Sequence, residues 1–166
     1  SHGFLMGNHS GDKDGIWASM AFAEMAAALK ENKLTPIDRL NQIYQQYGVH
    51  LDALGTQTFK GTKGMAKIQQ IMRELRNSPP ESVAGQAVVK ITDYLENKII
   101  CGNETRQGPG LPQSNVIALE LADNSRITAR PSGTEPKIKY YFNLQGKDSE
   151  MLNRRLASIQ ADFIKD

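Results

Sequence analysis

The sequence holds a single cysteine, Cys101, no long apolar run and almost no net charge. A lone thiol cannot close an internal disulfide, and no Cys/His group has zinc-site spacing. Cys101 is read as an inert, half-buried thiol in a reducing cytoplasm. No stretch approaches the ~18–20 consecutive apolar residues of a membrane span. The Ala-rich run Ala21–Leu29 is too short and is broken by Glu24. No basic segment followed by an apolar one opens the chain, so no secretory signal is read. A net charge of +2 is too small to argue for nucleic acid. Internal repeats and low-complexity tracts are absent too. What remains is 166 residues, 39% apolar and 23% charged. That suits one globular domain, or one domain with part of another.

Two helices come first. Ala, Met and Leu dominate Met20–Leu29, and the helix they favour starts near Asp14 or Gly15 and runs to Lys30. Trp17, Met20 and Phe22 give it an extensive apolar surface, so it is expected to be largely buried. Met6, Trp17 and Met20 are core candidates. Thr35, Pro36 and Asp38 then supply a cap, a first-position proline and a first-turn carboxylate. Ile37, Leu40, Tyr44 and Tyr47 follow at helical spacing, and Gly48 ends the helix in a left-handed conformation.

From Val49 the pattern changes. Val49–Lys60 reads as a strand and Gly61–Gly64 as a turn. Met65, Ile68, Met72 and Leu75 mark an amphipathic helix stopped by Asn77-Ser78-Pro79-Pro80. Ala87–Leu95 alternates as a strand with Val89, Ile91 and Tyr94 or Leu95 inward. Asn97–Ser114 reads as a long loop. Val116–Leu121 and Arg126–Arg130 form a hairpin about Asp123-Asn124. Ile138, Tyr140, Phe142 and Leu144 alternate with Lys137, Lys139, Tyr141 and Asn143 in a half-buried strand. Asp148 caps a last helix with the stripe Leu152, Leu156, Ile159 and Phe163. The fold class is therefore α+β. A two-layer sheet-and-helix domain of order β-α-β4-α occupies 49–166, and 1–48 is a helical remnant of a preceding domain.

Basic residues crowd one region: Arg126, Arg130, Lys137, Lys139 and Lys147, opposed only by Glu135. A loop that receives a phosphate needs a fixed backbone, inward donors and a cation. Arg130-Pro131-Ser132-Gly133-Thr134-Glu135-Pro136 has all three. The prolines restrict the chain at each end, and Gly133 lets the backbone approach an anion. Ser132 and Thr134 add hydroxyls. Arg130 supplies a planar fork, and Lys139 a point charge from the next strand. The same residues also suit a plain tight hairpin, with Arg130 solvated and Glu135 paired to a lysine.

This loop, with Lys139 and Tyr140 beyond it, resembles the C-terminal phosphate-binding signature of the α-D-phosphohexomutases, the phosphoglucomutases and phosphomannomutases. Lys139 stands where family members usually carry Arg. Asp12-Lys13-Asp14-Gly15, followed by an Ala-rich helix, is similar to the end of the family's third domain. Ser1-His2-Gly3 resembles the last residues of that domain's sugar-recognition loop, whose two glutamates would fall just before residue 1. No close match is found for Asn8-His9-Ser10-Gly11, and His9 is read as a loop residue.

The resemblance implies a last domain of the TATA-box-binding-protein type at 49–166, after the end of a third domain at 1–48. It also implies a parent enzyme that interconverts hexose 1-phosphate and hexose 6-phosphate. A phosphoserine carries the phosphoryl group through a hexose bisphosphate intermediate and activator, with Mg²⁺ assisting. Neither an Asp-x-Asp-x-Asp run for that metal nor a Ser-His-Asn-Pro loop occurs in this sequence. Catalytic and metal-binding residues are thus expected elsewhere, and the chain alone is expected to be inactive. Its implied site is Arg130, Ser132, Gly133, Thr134 and Lys139 for the phosphate that is not transferred. Ser1, His2 and Lys13 are candidate sugar contacts. The implied partners are a hexose phosphate and further domains of the same chain, not nucleic acid or membrane. A stand-alone phosphosugar-binding or regulatory module remains the alternative, and a nucleic-acid binder on a similar sheet is a weaker one.

Overall fold

The computed structural model describes residues 3–8, 11–61 and 63–164. The chain divides into two compact units, Ser1–Gly48 and Val49–Asp166.

In the first unit, α1 (Gly15–Glu31) and α2 (Pro36–Tyr47) pack on one another. The Asp14 carboxylate caps α1 by accepting from the Ile16 and Trp17 amides at 2.8 and 3.1 Å. A capping box starts α2. The Thr35 hydroxyl accepts from the Asp38 amide, while the Asp38 carboxylate accepts from the Thr35 amide. The Asp38 carboxylate also accepts from the Thr35 hydroxyl, and these bonds, led by the hydroxyl's, hold it below its ordinary range.

Burial does not follow the sequence reading here. No residue of α1 or α2 is buried, and Met20 and Phe22 are each 57% exposed. Met6 is exposed and Trp17 only half-buried. A helix buries only what a neighbouring layer covers, and within this unit each helix has the other alone. Gly48 differs too. Its φ of 87° is positive, but its ψ of 164° is extended, so the chain leaves α2 straight into a strand.

In the second unit the order is β1 (Val49–Thr58), α3 (Lys63–Asn77), β2 (Ser82–Val83), β3 (Gln86–Asp93), β4 (Lys98–Cys101), β5 (Glu104–Gln107), β6 (Ile117–Leu121), β7 (Arg126–Pro131), β8 (Lys137–Gly146) and α4 (Ser149–Phe163). The sheet is antiparallel, ordered β1-β8-β7-β6-β3-β4-β5, with β2 beside β3. Both helices cover one face. Ile68 and Met72 of α3 and Leu152 and Ile159 of α4 meet Ile117, Leu119, Ile127, Ile138, Tyr140, Phe142 and Leu144 in one core. The class is α+β, as read.

Details of the strand reading change. Asn97–Ser114 is not all loop: β4 and β5 form a hairpin inside it. All four residues of β5 are exposed, so backbone pairing makes this edge hairpin and no apolar period announces it. Seven strands therefore follow α3, where four were expected. Val89 faces solvent at 48% exposure, because a register shift between Val88 and Lys90 resets the alternation. Leu95 and Met65 are also exposed.

Two polar links tie the layers together. Arg76 of α3 donates to Asp93 of β3 at 3.1 Å, both almost fully buried, and to Asn115 at 2.5 Å. Arg155 of α4 donates to Asp123 at 2.8 Å and to the Ala84 carbonyl at 2.7 Å.

Candidate functional site

Alternation along β8 separates core from site. Ile138, Tyr140, Phe142 and Leu144 turn under the helices. Lys137, Lys139, Tyr141 and Asn143 turn to the other face. Register puts Arg130 of β7 directly opposite Lys139 of β8, with Thr56 of β1 on Lys139's other side. Two cations facing each other across a sheet repel, which costs roughly 0.2–1 kcal/mol relative to neutral neighbours. Neither makes an ion pair with a carboxylate within 4 Å among the described residues. The pair leaves two positive charges side by side on this face of the sheet.

The connecting loop is pinned at several points. The Ser132 amide donates to the Lys137 carbonyl at 2.9 Å and closes the hairpin. The Ser132 hydroxyl accepts from the Glu135 amide at 3.3 Å and more weakly from the Thr134 amide at 3.5 Å. The Phe59 amide donates to the Pro136 carbonyl at 2.9 Å, fastening the loop to the end of β1. A hydroxyl that accepts from the backbone keeps its own proton to give away, so Ser132 is oriented as a donor.

These elements enclose an open cleft of about 180 Å³, lined by Arg130, Pro131, Ser132, Gly133, Glu135, Lys137, Lys139 and Tyr141. At Gly133 the backbone does not require glycine: φ is not positive and nothing lies within 4 Å of where a Cβ would stand. The missing side chain leaves that space open over the backbone.

Four of the five residues read as phosphate contacts, Arg130, Ser132, Gly133 and Lys139, line this cleft; Thr134 is exposed and does not. Arg126 and Lys147 of the basic cluster do not line it either. Arg126 instead donates to the Tyr94 hydroxyl at 2.9 Å. Tyr140, inside the signature, belongs to the core. It donates to Gln57 at 2.9 Å and meets Phe163 edge-on at 5.6 Å. Burial pushes its phenol up to about 12. The sequence reading did not assign Lys137, Glu135 and Tyr141 to the site. The period-2 pattern of β8 already put Lys137 and Tyr141 on the face of Lys139, and that shared face was the signal for them.

Glu135 pairs with Lys137 at 2.5 Å. The bond from Lys137, then its charge and that of Lys139, hold the Glu135 carboxyl below its ordinary range. In the first unit, Lys13 pairs with Asp12 at 3.2 Å on an exposed turn. Ser1, His2 and His9 lie outside the described residues. Among the described residues, no three His, Cys, Asp or Glu side chains converge as a metal site.

Fold and cleft together define an α+β module with a cation-lined cleft at a hairpin loop. Comparison with known proteins narrows the class. No family model matches the chain. It is 38% identical over 157 residues to a phosphoglucomutase of Staphylococcus aureus strain MRSA252, covering 94% of this chain and 28% of that protein. It is 40% identical over 146 residues to the phosphoglucomutase of strain USA300, covering 87% of this chain and 26% of that protein. Among solved structures, the open form of the exocytosis-sensitive phosphoprotein pp63/parafusin, a phosphoglucomutase from Paramecium, aligns with a TM-score of 0.55. That match covers 93% of this chain and 28% of the other at 20% identity, so it speaks to the fold alone. The chain belongs to the phosphohexomutase family. It spans little more than a quarter of the length of the curated relatives it matches.

Proposed function

We propose that this chain is the C-terminal, phosphate-holding part of a cytoplasmic phosphohexose mutase that interconverts hexose 1-phosphate and hexose 6-phosphate. Residues 1–48 are then the end of the sugar-recognition domain and 49–166 the last domain. The observation that carries this reading is the Arg130–Lys139 cross-strand pair beside the pinned Ser132 loop, in a chain akin to phosphoglucomutases.

The cleft's role is positioning. Arg130 offers two parallel donors to phosphate oxygens, Ser132 a hydroxyl proton, and Lys139 a point charge. Together they hold the phosphate that is not being transferred and so orient the reacting sugar oxygen. Either end of the sugar phosphate fits one such anion site, so a single cleft serves both orientations of a bisphosphate. In this family Mg²⁺ neutralises charge that develops during phosphoryl transfer. In this reading the cleft contributes binding, the metal and the phosphoserine belong to other parts of the parent, and the chain by itself is expected to be inactive. Lys13 is the sugar contact proposed from the first unit.

The test is an NMR titration of the 166-residue chain with glucose 6-phosphate. Shifts should centre on Arg130–Lys139. Arg130→Ala should remove them, Arg130→Lys should weaken binding through loss of the fork, and Lys139→Arg should keep or improve it. Binding untouched by Arg130→Ala would place the site elsewhere.

A further inference from the structure

The cleft contains one carboxylate among its cations, and that carboxylate is engaged. Glu135 and Lys137 both line it, and their side chains pair at 2.5 Å. We propose that Glu135 is an internal counter-ion that a bound phosphate displaces from Lys137. Lys137 then exchanges between carboxylate and phosphate, which keeps the site's affinity moderate. The inference rests on the phosphate-binding reading of the cleft and adds two residues to it.

Three features carry it. First, the turn does not need the side-chain pair. It is held by the Ser132 amide on the Lys137 carbonyl, the Lys137 amide on the Glu135 carbonyl at 2.7 Å, the Glu135 amide on the Ser132 hydroxyl, and the Phe59 amide on the Pro136 carbonyl. Second, the exchange is cheap. The Glu135 side chain is 59% exposed, so a carboxylate that lets go of Lys137 is already hydrated. Lys137 is less exposed, at 26%, but a pair with its carboxylate end in water is weak. Third, the charges compete. Arg130 and Lys139 make no ion pair with a carboxylate within 4 Å among the described residues, whereas Glu135 pairs with Lys137, feels Lys139 at longer range and repels any anion entering beside it. A phosphate supplies Lys137 with a more highly charged partner. Glu135, like any exposed carboxylate, is ionised at neutral pH and so competes as an anion. In a mutase whose intermediate must present each of its phosphates to one cleft in turn, easy release is as necessary as capture.

The experiment titrates the 166-residue chain with inorganic phosphate at about pH 8, with Glu side chains carbon-labelled. Glu135→Gln should tighten binding about two- to fivefold, the range an exposed ion pair allows. Lys137→Met should weaken binding more in the Glu135→Gln background than in the native one, because Glu135 no longer masks Lys137. In the native chain, the Glu135 carboxyl should titrate at higher pH when phosphate is saturating, since its lysine has left. This readout needs no substitution and stands even if a variant folds poorly. Unchanged or weaker phosphate binding by Glu135→Gln, or a Glu135 titration indifferent to phosphate, overturns the exchange and leaves the pair a structural strut. If Arg130→Ala fails to weaken phosphate in either background, the cleft reading falls first, and the exchange with it.

Discussion

The helical unit and the sheet unit both carry strong apolar patterns, yet they do opposite things with them. In the sheet unit, Ile138, Phe142 and Ile159 are fully buried. In the helical unit, Ile16, Met20 and Phe22 stand more than half exposed. Propensity and capping are satisfied equally well in both: Thr35 and Asp148 cap their helices as the sequence suggests, and Asp14 caps α1. The difference is the presence of an opposing layer. Secondary structure is a local property, whereas burial needs a partner surface.

The largest effect that sharpens this contrast is a pair of truncations. Phe142→Ala should cost about 3–5 kcal/mol, because it opens a cavity under α3 and α4. Phe22→Ala should cost under about 1 kcal/mol, since its ring is already largely in water. Urea melts followed by circular dichroism, with Trp17 fluorescence reporting on the first unit, compare the two. Equal costs would mean that α1 is packed in solution in a way the structure does not show.

A smaller effect isolates one buried group in the sheet unit. The Tyr140 phenol ionises at about 12 when folded and near 10 when unfolded. The raised folded value means that the folded state holds its proton longer. The associated stability is therefore complete below about pH 10 and is lost as pH rises toward about 12. The loss should approach ~2–3 kcal/mol. Melts at stepped alkaline pH should show it, and Tyr140→Phe should flatten the added slope. An identical slope in that variant would assign the loss to other groups.

The smallest effects compare two glycines. At Gly3, φ is +111° and a Cβ would lie 2.5 Å from the Asp14 carbonyl carbon, so Gly3→Ala should destabilise the first unit by about 1–3 kcal/mol. At Gly133 neither strain nor contact stands in the way, so Gly133→Ala should change stability by under about 0.5 kcal/mol. It should nonetheless weaken phosphate binding several-fold, because the methyl takes space the anion would use. Melts and phosphate titrations on the same samples check both halves. A Gly133→Ala chain that melts early would make that glycine structural.

Much of the candidate site was legible because its elements are contiguous. Arg130, Ser132 and Gly133 sit in one run of sequence, and Lys139 follows on a strand whose period-2 pattern is plain. What a run of neighbouring residues does not state is direction. Thr134 is part of the loop but does not line the cleft, and Tyr140 is part of the signature but turns into the core. A motif strings together neighbours along the chain, whereas a strand sends adjacent side chains to opposite faces.

The helices, the caps at Thr35 and Asp148, the α+β class, the β6–β7 hairpin and the resemblance of the Arg130–Pro136 loop are all written in the residues themselves. These follow from spacing, propensity and turn chemistry within a few residues. The rest came with the packing of distant segments. The structure showed which apolar stripes are covered, where the bulge turns Val89 outward, and that an edge hairpin with no apolar period lies inside an expected loop. It also showed that Lys137 and Glu135 share the cleft with Arg130 and Lys139. Each of these depends on register or on an opposing layer, and both are set by residues far away along the chain.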